Sequence, residues 1–205
     1  MEDSFEKSGR MESRALRESI VMDRRPVREL EKFAVKFFAE NPDGVELGPG
    51  VPVFHRWIQH RRLPELMIDV SDYEHVPSGP GVILVCHEAI YGLDQAKGKL
   101  GLVYNRRAPL NGSVEDRLRQ AVAAADTAAG FLEQEPEFSA KLCFDRKAWE
   151  VSVNDRALAP NTEATWNTLA PVIRGVFEPL FDPTGYSLVR AVDPRELFRV
   201  TLRAR

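Results

Sequence analysis

Cysteine is scarce in this chain, and long apolar runs are absent. Only Cys86 and Cys143 occur among 205 residues, both in apolar, strand-like stretches. That usage reads as buried thiols of a reducing compartment rather than a disulfide framework. Spacing alone leaves a bridge between neighbouring strands open. No run approaches the roughly 18 apolar residues of a membrane-spanning helix. Residues 1–10 are polar and mixed in charge, without the apolar stretch of a secretory signal. Cytoplasm is the expected location, with no membrane partner. Neither sign of charge dominates: the formal net charge is −3, so contact with nucleic acid would need a local basic patch. Also missing are a Walker loop, a GxSxG elbow, a CxxC pair and a Gly-rich dinucleotide turn. Gly48-Pro49-Gly50 and Gly79-Pro80-Gly81 are stiffened by proline and do not resemble a phosphate cradle.

What is present is an ordinary globular balance, 43% hydrophobic and 29% charged, over a length that supports one sizeable core. Residues 1–25 read as a flexible or loosely helical N-terminal arm, with Met1, Met11 and Met22 all eligible as the native start. From residue 26 the chain reads as a single α+β domain. Pro26 suits a first helical turn. Val27, Leu30, Phe33, Ala34, Phe37 and Phe38 then recur at three- and four-residue spacing, which predicts a helix over 26–40. So continuous an aromatic face must be covered, by the main domain or by a second copy of the chain, and homo-oligomerisation through this helix is the expectation. The segment 45–80 is irregular in pattern, with a candidate strand over 51–58.

Beyond Gly81 the pattern is clearer. Strands are expected at 82–86 and 100–104, joined by a loop over 89–98. Ser113, with Asp116 three residues on, caps a helix whose face runs from Val114 to Leu132. A second unit follows: a tight hairpin of 142–144 and 149–153 around Arg146-Lys147, then a helix capped by Thr162 and kinked by Pro171. Asn105, Arg107 and Ala108 match Asn154, Arg156 and Ala157 at the offset that relates Ser113 to Thr162. The units span about 81–133 and 138–181, and a hairpin over 186–203 closes the chain. The expected order is ββα-ββα-ββ on an antiparallel sheet. A ferredoxin-like core over 100–192 competes with that description.

Three groups of residues carry candidate chemistry. His87-Glu88 stands where a buried strand enters a loop, with Tyr91 and Asp94 following. A histidine beside carboxylates suits a general base or a metal ligand. With His75 upstream, the set His75, His87 and Glu88 has the chemistry for a divalent metal, although its spacing matches no known metal motif. The run from His55 to Arg62, including Arg56 and Trp57, could hold a small anionic ligand through arginine, or stack on nucleic acid. The acidic balance and the lack of an RNP-type aromatic motif argue against nucleic acid. Asn105 and Arg107, with their counterparts Asn154 and Arg156, could line a pseudo-symmetric pocket. No catalytic constellation is complete. The best-supported expectation is therefore a non-catalytic module that binds a small ligand or a partner. The alternatives are a small metal-dependent enzyme using His87 with Glu88 or Asp94, and weak nucleic-acid binding through residues 55–62.

Overall fold

The computed structural model describes residues 29–77, 79–139, 141–181 and 185–204. The expected arm over 1–25 and the start of the expected helix, 26–28, lie outside the described residues.

One antiparallel eight-stranded sheet organises the molecule: β1 (Phe33–Ala39), β2 (Met67–Tyr73), β3 (Gly81–Cys86), β4 (Ala89–Asp94), β5 (Gly101–Arg106), β6 (Phe144–Val153), β7 (Tyr186–Arg190) and β8 (Phe198–Ala204). The spatial order is β2-β3-β4-β5-β1-β6-β8-β7. Among the described residues three α-helices accompany it: α1 (Gly50–His60), α2 (Val114–Gln134) and α3 (Glu163–Phe177). The α+β class with an antiparallel sheet is as expected.

The helix expected over 26–40 is instead a strand from Phe33 onward, and a central one. Ala34 pairs with Asn105 of β5 on one side and Ser152 of β6 on the other. Phe33, Val35 and Phe37 are buried, whereas Lys36 and Phe38 belong to the opposite face. A four-residue aromatic spacing satisfies a period of 2 as well as a period of 3.6. The β-branched Val35 and the aromatic density favour the pleated surface. The surface proposed for self-association is thus the interior of the sheet.

The reverse correction applies to 51–58, which is helical. Val53, Phe54 and Trp57 lie on one buried face. Pro52 falls in the first turn, where its missing N–H leaves no carbonyl unserved. Arg61 ends α1 in the left-handed conformation at φ 50°, and the N–H of Arg62 returns to the Trp57 carbonyl.

The expected loop over 89–98 contains a full strand, β4, paired along its length with β3 and β5. The expected hairpin around Arg146-Lys147 is one continuous strand, β6. Its turn-like residues sit beside a register shift opposite Phe37 and Ala39, where a bulge absorbs the irregularity without reversing the chain. The second ββα unit therefore lacks its hairpin. What recurs is a strand followed by a capped helix. β5-α2-β6 joins two parallel strands that flank β1, and β6-α3-β7 joins two that flank β8. With β1 standing between β5 and β6, the order is not ferredoxin-like.

Both expected caps form. Ser113 Oγ accepts from the Asp116 N–H while Asp116 Oδ2 accepts from the Ser113 N–H, and Thr162 Oγ1 accepts from the Thr165 N–H. α3 continues past Pro171, which lies on its exposed side. The closing hairpin, β7 with β8, is as expected.

One face of the sheet is covered and the other open. On the covered face, Val35, Leu84, Tyr91, Leu102, Tyr104, Val151 and Val200 are fully buried. α2 lies over β1 and β5, and α1 over β2 and β3. Trp57 of α1 meets Phe131 of α2, and Phe177 of α3 meets Trp149 of β6. Lys36, Glu150, Ser152, Arg199 and Thr201 floor a cavity on the open face. Such one-sided covering gives an antiparallel sheet its alternation of apolar and polar residues. No described helix is long and apolar enough to cross a membrane.

Candidate functional site

The residues from Arg61 to Leu66 leave α1, cross the end of β3 and β4, and enter β2. Two hydrogen bonds, one backbone–backbone and one to a side chain, pin this loop to the β3–β4 turn. The His87 N–H donates to the Leu66 carbonyl at 2.9 Å, and the Leu66 N–H donates to Glu88 Oε2 at 3.1 Å. The Glu88 carbonyl in turn accepts from the N–H groups of Arg107 and Ala108. The loop is thereby held against the covered face of the sheet, between α1 and α2.

Inside it sits Glu65. Its side chain is among the few buried charged groups, at 8% exposure, and Oε2 has no hydrogen-bond partner among the described residues. The carboxylate faces the hydroxyl of Tyr91, which is fully buried. Burial first, and then the Glu65 charge, push the Tyr91 phenol well above its ordinary range. Tyr91 lies opposite Tyr104 in the β4–β5 register, their rings edge to face at 5.0 Å. The Tyr104 hydroxyl and the Gln120 side-chain amide of α2 hydrogen-bond each other at 3.0–3.2 Å, and Arg106 Nη1 approaches the same hydroxyl at 3.5 Å. Cys86 is buried nearby. Burial, then the charges of Glu65 and Glu88, push its thiol up to about 12.

Two cavities meet at Glu65. The outer, about 610 Å³, is lined by Ile58, Arg61, Leu63, Glu65, Met67 and Glu88. The inner, about 230 Å³, is lined by Leu63, Pro64, Glu65, Tyr91, Gln120 and Ala124, among others. Nearby cations are engaged elsewhere. Arg62 stacks over Phe131 at 3.8 Å, and Arg106 donates to the Ala108 and Pro109 carbonyls. Arg61 reaches the rim of the outer cavity without pairing to Glu65.

The residues singled out in the sequence distribute as follows. Glu88 and Tyr91 belong to this site. His87 is exposed at the turn beside Glu88, 3.5 Å from Nδ1 to Oε1. Burial of Glu88 works against its ionisation. Backbone N–H groups of Glu88 and Leu66 and the neighbouring His87 outweigh it, and hold the carboxyl below its usual range. Asp94 stands at the other end of β4, where it pairs with Lys36 at 2.6 Å. His75 is exposed in the β2–β3 connection, at the end of β3 opposite His87. The proposed metal set is therefore not brought together, and no cluster of three His, Cys, Asp or Glu side chains occurs among the described residues.

On α1, His55 is exposed, while Trp57 is buried with Nε1 donating to Glu135 at 2.6 Å. Arg56 is consumed by Glu135 and Glu137, at 2.5–2.8 Å, and its hydrogen bonds hold Glu137 below the usual carboxylate range. Asn105 sits between Ile90 and Ala34 on the open-face side, and Arg107 is exposed beyond β5. Asn154 lies just beyond β6, where its N–H donates to the Lys32 carbonyl at 2.9 Å.

Glu65, Tyr104 and Gln120 were not among the residues singled out. The only signal for Glu65 was a carboxylate inside the otherwise apolar run 63–68. Comparison with protein-family models, curated proteins and solved structures finds no match.

Proposed function

We propose that the chain is a small-ligand-binding module whose site is the pair of cavities around Glu65, and that it holds its ligand without transforming it. The observation that carries this reading is the buried Oε2 of Glu65, without a partner among the described residues, where two cavities meet. A buried carboxylate without a full set of partners costs several kcal/mol in general. A fold that keeps one at a cavity wall gains from a ligand that completes it. The groups best suited to attack a substrate, the Cys86 thiol and the Tyr91 phenol, are both kept protonated by burial, which supports binding over chemistry.

The test is a thermal-shift panel of small amines, alcohols, carboxylates, nucleotides and divalent metals on the wild type and on Glu65→Gln. A ligand at about one hundred times its dissociation constant adds roughly 2.7 kcal/mol to stability. A hit that Glu65→Gln abolishes supports the site. A panel without hits, or hits indifferent to Glu65→Gln, overturns it.

A second reading has one observation behind it. Glu88, beside His87, lines the same outer cavity as Glu65, and two carboxylates in one cavity suit acid–base work. It predicts turnover of a bound compound, lost in Glu88→Gln while binding persists. Absence of any turnover of the compounds that bind leaves the first reading standing.

A further inference from the structure

Resting on that reading of the Glu65 site, we infer that its ligand is an organic ammonium ion with a compact apolar body. The inner cavity supplies the argument. Its walls are Leu63, Pro64, Ala123, Ala124 and Thr127, and among the described residues Glu65 is the one charged residue that lines it. The polar groups present are already engaged with each other. The Tyr91 hydroxyl faces the Glu65 carboxylate, and the Tyr104 hydroxyl is joined to Gln120. The remaining demand is for a donor at Oε2, since an ionised carboxylate only accepts.

An anion meets an uncompensated negative charge there. A neutral hydroxyl meets the hydrogen bond but leaves the charge, whereas an ammonium group meets both, through a charge-assisted bond of roughly twice the strength. Among the described residues the nearby cations do not do this: Arg61 lines the outer cavity and forms no ion pair with Glu65. Arg56 is held by Glu135 and Glu137, Arg62 by Phe131 and Arg106 by backbone carbonyls. At about 230 Å³ the inner cavity accommodates a body of several heavy atoms, taking about 30 Å³ for each water-sized group. A ring or short branched chain on a primary amine fits that space.

The experiment uses three probes with one shared body: cyclohexylmethylamine, cyclohexylmethanol and cyclohexanecarboxylate. Each is titrated calorimetrically at neutral pH into the full chain, into Glu65→Gln and into Ala124→Leu, which fills the inner cavity from α2 while leaving the carboxylate in place. The amine is expected to bind at least ten-fold tighter than the alcohol, and the carboxylate weakest. Glu65→Gln is expected to erase the preference for the amine, and Ala124→Leu to weaken the amine at least ten-fold. Alcohol or carboxylate binding as tightly as the amine, yet lost in both variants, overturns the ammonium assignment while upholding the ligand site. No binding of any probe also overturns the assignment, and the wider panel then decides the site itself. Should Glu65→Gln fail to fold, Ala124→Leu and the order of the three probes decide alone.

Discussion

Glu65 and Cys86 are neighbours with opposite relations to the solvent chemistry around them. The carboxylate lies at a cavity wall, while the thiol is sealed and kept protonated. The other cysteine, Cys143, is exposed just before β6, and the two are free rather than bridged. One thiol per chain is therefore expected to react with a disulfide reagent in the native protein and two in denaturant, with none reacting natively in Cys143→Ser. Reaction slower than that of a free thiol is expected at Cys143, because burial and then the Glu40 carboxylate raise its pKa. Cys86 also sets a pH dependence. Its folded value, about 12, exceeds the roughly 8.5 of an unfolded thiol. Its contribution to stability is complete below about pH 8.5 and is lost as pH rises toward 12. Cys86→Ala should flatten that part of a urea-stability profile against pH, and an unchanged alkaline slope would contradict the assignment. Burial of Cys86 was legible from its apolar run; exposure of Cys143 was not, because position 143 follows Leu142 where the strand has not yet begun.

β1 shows how an element can be misread from a sound pattern. Phe33 and Phe37 lie four apart, on one side of either a helix or a strand, and only the interposed Lys36 and Val35 tip the balance. Placed between β5 and β6, Phe37 is fully buried against Trp149. A charge there has no solvent and no partner. Phe37→Glu is accordingly expected to cost more than about 4 kcal/mol, the range reserved for buried unpaired charges and large core losses. Loss of cooperative thermal unfolding would show it. A folded variant of altered mass would restore the interfacial helix in its place. Capped helices were legible because Ser113 and Thr162 announce their starts chemically. The bulge in β6 was not, since Asp145-Arg146-Lys147 has the polarity of a turn. Long-range pairing with β1 keeps the strand running.

At the scale of the whole molecule, the central strand comes first in the described chain and meets partners from far along it. Phe37 pairs with Leu102 and with Trp149. Such pairings require closure of long loops before they are rewarded, which slows folding. A chain ending at residue 140 would leave β1 at an edge, with Phe37 short of Trp149 and the rest of β6. It is expected to lack cooperative unfolding by circular dichroism. A cooperative transition near that of the full chain would mean that β2-β3-β4-β5-β1 is self-sufficient. The same topology hides the candidate site from sequence reading. Glu65 is buried because the loop after α1 is drawn between α1 and α2 by the distant Glu88 turn, and no local pattern records that. Glu88 and Tyr91 were legible because they lie on or beside a recognisable strand end.

The most direct measurement is the stability of ligand-free Glu65→Gln against wild type by urea denaturation. If Glu65 is a buried carboxylate retained for a ligand, its near-isosteric neutral replacement unfolds at an equal or higher urea concentration with an unchanged slope. A loss of 2 kcal/mol or more, on the scale of a broken buried polar network, would instead make Glu65 part of the scaffold and contradict the account.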